Sequence, residues 1–398
     1  MTIPSKYQYR KKTNNVISNT LNLANALGVS ESELKRISRL KDSEKYEIFY
    51  ITKNDGRQRQ IHKPCKDIRN IQRRINHRIF KEIVIWPEYL YGSVPKQKDI
   101  EPQDYVNCAK NHCGSKSILK LDIQDFFDNI SENLVKNIFL NFFKYKNDVA
   151  NILTSICCVD SKVPQGGLTS SYLASLCLYS IEPKMVLRLH NKKLKYTRFV
   201  DDMTISSTKE NFDFSAITNV IESTLNSLDL PLNKQKIQVQ KLSSEPMKVH
   251  NLRVDFSTPR YDKKEYRRIK SAIHRLSNQK EILNYRTHYF YRTDHNRCVG
   301  LVNKLARVNH PSHTKLLKKL SNIKPLPNPN DLNYIKKSIM DLMQIFESSH
   351  KTYEYRNKFF RIQQRIAFIR SHPKKIYESS AVIWSNRLQN YRPPYEEK

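Results

Sequence analysis

Hydrophobic positions near the N-terminus recur at helical spacing and then give way to alternation. Residues 1–45 are basic and helix-prone, and Ser30 is suited to cap a helix within them. Residues 46–64 (YEIFYITKNDGRQRQIHKP) alternate as a β-hairpin does, with Asn54-Asp55-Gly56 as its turn. Residues 68–79 then predict a helix with an isoleucine face and an arginine-rich face. The apolar stripes are Leu21, Leu23, Ala24, Leu27 and Leu34, and then Ile68, Ile71, Ile75 and Ile79.

Two later apolar runs are interrupted by acidic residues. The run SILKLDIQDFF predicts a buried strand that contains Asp122, and KYTRFVDDMTIS predicts a strand-turn-strand hairpin with Asp201 and Asp202 at its tip. An isolated Asp-Asp pair is usually an exposed acidic turn. Here the flanks are apolar, and a buried carboxylate is costly unless it is paired or binds a metal. Three such carboxylates therefore favour a site for Mg²⁺, which prefers oxygen ligands.

Residues near these runs suggest what surrounds the carboxylates. Arg57 and Arg59 follow the hairpin turn on its second strand and could clamp a triphosphate, or form only an exposed basic hairpin. Phe127 would wall the pocket, or be core together with Phe126. Asp125 and Asp128 are expected to cap the next helix. Residues 163–180 (VPQGGLTSSYLASLCLYS) predict a turn followed by an apolar helix. Small residues on one side of this helix would let a nucleotide or template strand pass closely, or they are ordinary helix caps. They are Thr169, Ser170, Ser171, Ala174 and Ser175.

The last third of the chain is predicted to be helical and basic. Residues 262–276 form an amphipathic helix that turns Ile269, Ile273 and Leu276 inward. Its outward cations are either a solvated face or a surface that follows a nucleic-acid backbone, and they are Arg267, Arg268, Lys270 and Arg275. Residues 300–320 continue the helical region, and 323–331 are a proline-rich linker. Two more helices are expected beyond it, one carrying Ile335, Ile339, Leu342 and Phe346 and a basic one at 353–369.

Composition narrows the class of partner. The 398 residues include 70 Lys and Arg but 38 Asp and Glu, a net charge of +32 that attracts a polyanion. No apolar run approaches a membrane span and no signal peptide is recognisable, so nucleic acid is expected and a membrane is not. The 22 Tyr and 16 Phe suit base stacking. Seven cysteines without a secretion signal indicate reduced thiols in the cytoplasm. Cys108, His112 and Cys113 lack a second ligand pair for zinc.

The order of these motifs gives the chain a resemblance to a known family. With LDIQDFF, PQGG and FVDD in sequence, residues 45–320 resemble a reverse transcriptase of the bacterial retron-type and defence-associated branch. The resemblance implies an α+β right-hand polymerase with fingers, a palm of antiparallel sheet plus helices, and a helical thumb, followed by a helical C-terminal extension. The implied divisions are a basic helical N-terminal segment 1–45, fingers 46–116, palm 117–255 with interleaved parts of the fingers, thumb 256–322, and linker with basic extension 323–398.

The same resemblance implies roles for individual residues. Asp122, Asp201 and Asp202 would be catalytic ligands of two Mg²⁺ ions, for which Mn²⁺ is a substitute. Phe127 would screen against ribose 2′-hydroxyls, and Lys236 would approach the leaving pyrophosphate. The complete nucleotide-binding set is Arg57, Arg59, Phe127, Gln165, Gly166 and Lys236, and the set for nucleic acid is Arg267, Arg268, Lys270 and Arg275. Residues 247–255 resemble the primer-grip hairpin.

Several positions depart from the family pattern. Phe199 stands where Tyr is usual, Val200 where Ala is common, and Ser171 where Pro is usual. The retron signature Asn-Ala-x-x-His has Cys108 in place of Asn, and the Val-Thr-Gly triplet is Val249-His250-Asn251. The sequence is therefore compatible both with a strict retron reverse transcriptase and with a related bacterial defence polymerase.

The predicted function is RNA-directed DNA synthesis by two-metal nucleotidyl transfer in antiphage defence. The expected partners are dNTPs, a structured non-coding RNA as template and the DNA product, with an effector or second polymerase protein and a homo-oligomer left open. One alternative is template-independent or protein-primed DNA synthesis at the same site. Another is a non-catalytic RNA-binding scaffold, which the presence of all three aspartates disfavours.

Overall fold

The computed structural model describes residues 2–52, 56–98, 100–370 and 375–394. The chain forms two compact units, the first ending at Arg260 and the second beginning at Tyr261. This division lies close to the predicted end of the palm. The finer division into fingers, palm and thumb stays a prediction.

The first unit combines short helices with a central sheet. Its helices are α1 (Thr20–Leu27), α2 (Glu31–Ser38), α3 (Asp42–Lys45), α4 (Lys66–Ile75), α5 (Tyr105–Asn111), α6 (Phe126–Asn129), α7 (Glu132–Asn137), α8 (Asn147–Cys157), α9 (Ser170–Leu176), α10 (Glu182–Asn191) and α11 (Ser215–Asn226). Its strands are β1 (Arg10–Lys11), β2 (Tyr46–Thr52), β3 (Gln58–Pro64), β4 (Val84–Ile85), β5 (Leu90–Tyr91), β6 (Ser117–Asp122), β7 (Lys195–Phe199), β8 (Asp202–Ser207), β9 (Gln238–Lys241), β10 (Lys248–Val249) and β11 (Leu252–Arg253), and β12 (Arg260–Tyr261) begins at its last residue. Short 3₁₀ or π turns occupy Ser5–Tyr7, Asn76–Lys81, Ile138–Phe142 and Lys234–Lys236.

The central sheet has the strand order β5-β7-β8-β6-β9. β5 runs parallel to β7, whereas the other neighbours are antiparallel. The two middle strands β6 and β8 are buried along nearly their whole length. Coverage of both faces explains the largely apolar sequence of β6. Strand β8 instead alternates, and it buries Thr204, Ser206 and Ser207 together with Met203 and Ile205. The strand predicted around Asp122 is therefore β6, and it pairs with β8, the second strand of the hairpin predicted around Asp201 and Asp202.

The N-terminal predictions hold with local corrections. The Ser30 side chain accepts a hydrogen bond from the Glu33 N–H and caps α2 as predicted. The isoleucine face of 68–79 is buried. Leu21 was wrongly placed in the apolar stripe: it is exposed, because α1 buries the face that carries Leu23, Ala24 and Leu27. The segment also contains strand β1, which pairs with β4 and was not predicted.

The β2–β3 hairpin forms with the predicted pairing, from Tyr46 opposite Pro64 to Thr52 opposite Gln58. Of its predicted turn, Asn54 and Asp55 lie outside the described residues. Arg57 precedes β3, which starts at Gln58, so only Arg59 of the two arginines is on the strand.

Two other local predictions are wrong. Asp125 stands at the N-cap position of α6 in a left-handed conformation, but neither its side chain nor that of Asp128 caps the helix. The small residues around α9 do not form an open path, because Thr169, Ser170, Ala174 and Ser175 are buried. Their size permits close packing against the sheet rather than passage of a ligand.

The second unit is helical and has two separate apolar cores. Its helices are α12 (Lys263–Gln279), α13 (Tyr289–Arg307), α14 (His313–Ser321), α15 (Pro329–Gln344), α16 (Phe346–Ser349), α17 (Tyr353–Arg370) and α18 (Lys375–Gln389), with a 3₁₀ turn at Tyr285–Thr287. Ile269, Ile273 and Leu276 are buried on α12 as predicted. The predicted linker is shorter than expected, because α15 already starts at Pro329.

Candidate active site

Strand register brings the three predicted carboxylates to one end of the central sheet. Asp122, the last residue of β6, pairs directly with Asp202, the first residue of β8. Asp201 lies in the turn between β7 and β8, and its carbonyl accepts a hydrogen bond of 3.3 Å from the Ile123 N–H. Directly opposed residues of antiparallel strands have their Cβ atoms about 5 Å apart. The fold therefore gathers acidic groups that are 79 and 80 positions apart in sequence.

The β7–β8 turn holds Asp201 in a constrained backbone. Val200 has a φ of +61°, a left-handed conformation that β-branched residues rarely adopt. The Arg198 guanidinium donates a hydrogen bond of 3.0 Å to the Val200 carbonyl. Arg198 thus fixes the residue before Asp201 from below the turn.

A lysine supplies the positive charge closest to Asp122. The Lys236 Nζ lies 3.0 Å from both carboxylate oxygens of Asp122. The Asn233 N–H also donates a 2.8 Å hydrogen bond to the Asp122 carbonyl. Asp122 is largely buried whereas Lys236 is largely exposed, so the lysine reaches in from the surface.

The paired carboxylates change each other's proton affinity. Burial first, and then the charges of Asp201 and Asp122, raise the pKa of Asp202 to about 6. Burial also raises the pKa of Asp201, with a further contribution from Asp122 and opposing ones from Lys236 and Arg59. A site in which carboxylates resist joint ionisation is one that a cation stabilises.

The donor set fits a hard divalent cation. The three side chains offer carboxylate oxygens, which Mg²⁺ and Mn²⁺ prefer. The Lys236 ammonium provides a positive charge next to the Asp122 carboxylate. Among the described residues, no three His, Cys, Asp or Glu side chains are close enough to hold a metal ion without rearrangement.

We expect the metal requirement of the reaction to rise at low pH. Because the pKa of Asp202 is about 6, a proton competes with the metal there, and the half-saturating metal concentration should rise about tenfold per pH unit below 6. The same raised pKa means that the metal-free protein loses stability as pH rises from about 4 to about 6. Metal titrations of the extension rate between about pH 5 and 8 measure the first effect. Equal half-saturation throughout this range would contradict it.

Four of the residues predicted to contact the nucleotide, Arg57, Arg59, Gln165 and Gly166, lie on two segments that a backbone hydrogen bond joins. The His62 N–H of β3 donates to the Gln165 carbonyl at 2.7 Å. The positive charge of Arg59, three residues earlier on β3, opposes the rise in the pKa of Asp201 that burial causes. The Gln165 amide donates a 3.3 Å hydrogen bond to the Asp128 carboxylate. Phe127 is half-buried, with its ring centroid 6.1 Å from that of Phe126.

The contact between β3 and the turn at Gln165 requires a residue without a Cβ atom at Gly166. It has a φ of +114°, and a Cβ there would lie 2.5 Å from the His62 carbonyl oxygen. We expect Gly166→Ala to destabilise the protein by about 2 kcal/mol or more and to raise KM for the nucleotide, because β3 must move away. Gly300→Ala is the control, since that helical glycine has open space around it and alanine should stabilise by about 0.5–1 kcal/mol. Urea unfolding and nucleotide titration measure both. Equal effects of the two changes would refute this role of Gly166.

The predicted nucleic-acid cations lie on α12 in the second unit. Arg267, Arg268, Lys270 and Arg275 are all exposed. Arg268 donates two hydrogen bonds of 2.8 Å to the Glu265 carboxylate, so part of its charge is already neutralised. All four keep the outward orientation that was predicted.

A buried network beneath the site was not predicted. Arg198 and Glu182 are fully buried, and the Arg198 Nε lies 2.6 Å from the Glu182 Oε1. The Tyr196 and Tyr9 hydroxyls donate to the same carboxylate at 2.8 and 2.6 Å. The clue in the sequence was Arg198 itself, a charge inside an apolar strand two residues before Val200.

A second unpredicted network lies beside β7 and β8. The His112 ring bonds Ser206 and Thr197 at 2.8 Å each, and Cys108 donates to Thr197 at 3.3 Å. Burial lowers the pKa of His112 to about 3, so its ring is neutral and serves as a hydrogen-bonding core group.

Comparison with known proteins identifies the fold and the activity. The family model described as reverse transcriptase (RNA-dependent DNA polymerase) matches residues 51–286. The chain is 39% identical to the retron Ec48 reverse transcriptase of Escherichia coli, over 98% of this chain and 96% of that protein. This chain belongs to the retron-type reverse transcriptases. The reverse transcriptase is also 30% identical to the retron Se72 reverse transcriptase of Salmonella heidelberg (strain 579083-10), over 79% of this chain and 82% of the relative.

Family membership confirms the predicted polymerase fold and RNA-directed DNA polymerase activity. This reverse transcriptase uses divalent metal ions, as its family does, and an RNA template. Its departures at Cys108 and at Val249-His250-Asn251 do not remove it from the retron-type branch. The chain also aligns with the solved structure of telomerase from Candida albicans in complex with a fragment of telomeric RNA, at 11% identity and a TM-score of 0.41, over 90% of this chain and 68% of that one. Among the described helices, none has the length and hydropathy that crossing a bilayer requires.

Proposed function

We propose that this reverse transcriptase copies a dedicated, structured non-coding RNA into DNA at the carboxylate site formed by Asp122, Asp201 and Asp202. The observation that carries the proposal is the direct pairing of Asp122 with Asp202 beside the Asp201 turn. The raised pKa of Asp202 supports it, because a cation would offset the burial and the mutual repulsion of these carboxylates. We propose Mg²⁺ as that cation, as two ions, with Mn²⁺ as a substitute.

Asp122, Asp201 and Asp202 would hold the metal ions, which would activate the primer 3′-hydroxyl and stabilise the departing pyrophosphate. The protein's own residues position the reactants around them. Asp122, Asp201 and Asp202 orient the reacting end of the primer, and Arg198 holds the turn that carries Asp201. Lys236 leaves Asp122 and turns to the negative charge that develops on the leaving group.

The remaining nucleotide contacts follow from the two segments beside the carboxylates. Arg57 and Arg59 neutralise the dNTP triphosphate, since guanidinium groups match phosphate oxygens. Gln165 and Gly166 bring backbone close to the nucleotide, and Phe127 excludes a ribose 2′-hydroxyl by its bulk. The exposed cations of α12 follow the backbone of the template–product duplex.

We assign the parts of the polymerase as fingers 46–116, palm 117–255 and thumb 256–322, with the N-terminal segment 1–45 and the extension 323–398 outside them. We propose a role in antiphage defence on the basis of retron-type membership, with an effector or second polymerase protein as a partner and self-association as a further property. The free state of all seven cysteines, each within the described residues, supports our placement of the enzyme in the cytoplasm.

The test is to purify the protein with its co-expressed nucleic acid, add dNTPs and Mg²⁺, and sequence both the bound RNA and the new DNA. We expect DNA complementary to one discrete RNA. DNA without a complement in the RNA would instead indicate template-independent or protein-primed synthesis. Tightly bound RNA with no DNA under any metal or primer condition would indicate a non-catalytic scaffold.

A further inference from the structure

The second unit contains a cavity of about 690 Å³ between α13, α15 and α17. We refer to it as the α17 cavity and define it by Arg292, Tyr334, Arg365 and Phe368. Its volume lies in the range of small-molecule sites. The residues proposed for polymerisation contribute nothing to its described lining.

Planar groups are stacked in pairs along the wall of the α17 cavity. The Arg292 guanidinium carbon lies 4.1 Å from the ring centroid of Phe368, and that of Arg365 lies 3.9 Å from the centroid of Tyr334. Leu342 adds a buried apolar surface. Stacked guanidinium and aromatic planes are the surfaces on which proteins hold an unpaired nucleobase.

The cavity also has an excess of positive charge. Lys358, Arg361 and Arg365 line it from one face of α17, at spacings of three and four residues. In the described parts of the chain none of these three is paired with a carboxylate. Asp341 is the carboxylate of the described lining, so the cations outnumber it. Unpaired cations around one cavity favour a ligand that carries phosphate.

Arg292 is held in place for such a ligand. Its terminal nitrogen donates hydrogen bonds of 3.0 Å to both oxygens of Asp331, which orient the guanidinium plane over Phe368. Its Nε is buried and has no hydrogen-bond partner among the residues that the structure describes. A buried donor without a partner is costly, and a ligand with an acceptor atom would satisfy it.

We propose that the α17 cavity binds a nucleotide, with its base against the stacked planes of Tyr334 and Arg365 and its phosphate against Lys358 and Arg361. An apolar ligand would leave the cations unsatisfied, and inorganic phosphate alone would leave the stacked planes unused. The nucleotide is either a free nucleoside triphosphate or an unpaired nucleotide of the bound RNA. Both sources present the same base and phosphate chemistry.

The test has two arms with the full-length protein. In the first, nucleic-acid-free protein is titrated with ATP, GTP, CTP and UTP in the presence of a chelator, which suppresses metal-dependent binding at the carboxylate site. In the second, the protein–RNA complex is irradiated, and cross-linked nucleotides are mapped by mass spectrometry. Binding in the first arm identifies a free nucleotide, and a cross-link within α15 or α17 identifies a nucleotide of the RNA.

Matched variants make the test specific. Arg361→Gln removes a cation that lines the cavity, and Tyr334→Leu removes an exposed ring of the stack. Lys336→Gln is the control, because Lys336 is exposed on α15 and does not line the cavity. We expect Arg361→Gln and Tyr334→Leu each to weaken nucleotide binding about tenfold or to reduce the cross-link by a similar factor, and the control to change neither.

The proposal is overturned by failure in both arms, that is, no nucleotide binding and no cross-link within α15 or α17. It is also overturned if Arg361→Gln and Lys336→Gln behave alike. Thermal unfolding of each variant verifies that the protein remains folded. Tyr334→Leu keeps the test decisive if Arg361→Gln fails this check, because the Tyr334 side chain is about half exposed.

Discussion

The Asp201→Asn enzyme is expected to extend a primer about a thousandfold more slowly than the wild type while its RNA binding stays unchanged. Asparagine keeps the shape of the side chain but removes the charge that a divalent ion needs. Metal ions supply several kcal/mol of transition-state stabilisation, and each 1.4 kcal/mol is about tenfold in rate. Single-turnover extension and an RNA-binding titration measure the two quantities separately.

Asp229→Asn is the matched control for this substitution. Asp229 is exposed and has a left-handed conformation with a φ of +57°, which asparagine adopts readily. It should extend at the wild-type rate. If Asp201→Asn retained a rate near that of Asp229→Asn, the carboxylate site would be wrongly assigned.

Arg198→Met is expected to lower the free energy of unfolding by about 3–5 kcal/mol, the loss typical of breaking a buried ion pair. The change leaves the Glu182 carboxylate fully buried without its cation, and in the described part of the chain the Tyr9 and Tyr196 hydroxyls are its remaining side-chain donors. It also removes the hydrogen bond to the Val200 carbonyl, so the turn that carries Asp201 loosens. Denaturant unfolding monitors the stability, and kcat at a temperature where the variant stays folded monitors the turn.

Two comparisons make this prediction specific. Lys35→Met breaks an exposed ion pair with Glu31 four residues earlier on α2 and should cost only about 0.3–0.5 kcal/mol. Replacing both buried partners, Arg198→Met with Glu182→Leu, should recover part of the lost stability, because no unpaired charge stays buried. Equal losses for Arg198→Met and Lys35→Met would mean that the buried network is not a stabilising element.

Local sequence pattern was sufficient for the elements that carry the chemistry. The apolar run around Asp122 and the alternation around Asp201 each specify a strand, and burial of both strands explains the pattern. The cap at Ser30 was also predictable, since its side chain satisfies an N–H only three residues away. These features depend on neighbours in sequence or on a single face of an element.

Contacts between distant segments could not be predicted in the same way. Tyr9 reaches Glu182 across 173 positions, and no local period indicates such a pairing. The small residues of α9 were interpreted as an open path or as ordinary helix caps, but most of them are buried against neighbouring elements. Leu21 fitted a rough stripe, but α1 presents another face to the core. Residue size and polarity alone do not specify which face or partner is chosen.

The most direct test of the central claim is incorporation of a single nucleotide on a defined RNA template with a DNA primer. With Mg²⁺ present, we predict that the purified enzyme adds only the dNTP complementary to the template base, and that a chelator stops the addition. Addition of any dNTP regardless of the template base, or undiminished addition in the chelator, would contradict the assignment of metal-dependent, RNA-templated synthesis to this site.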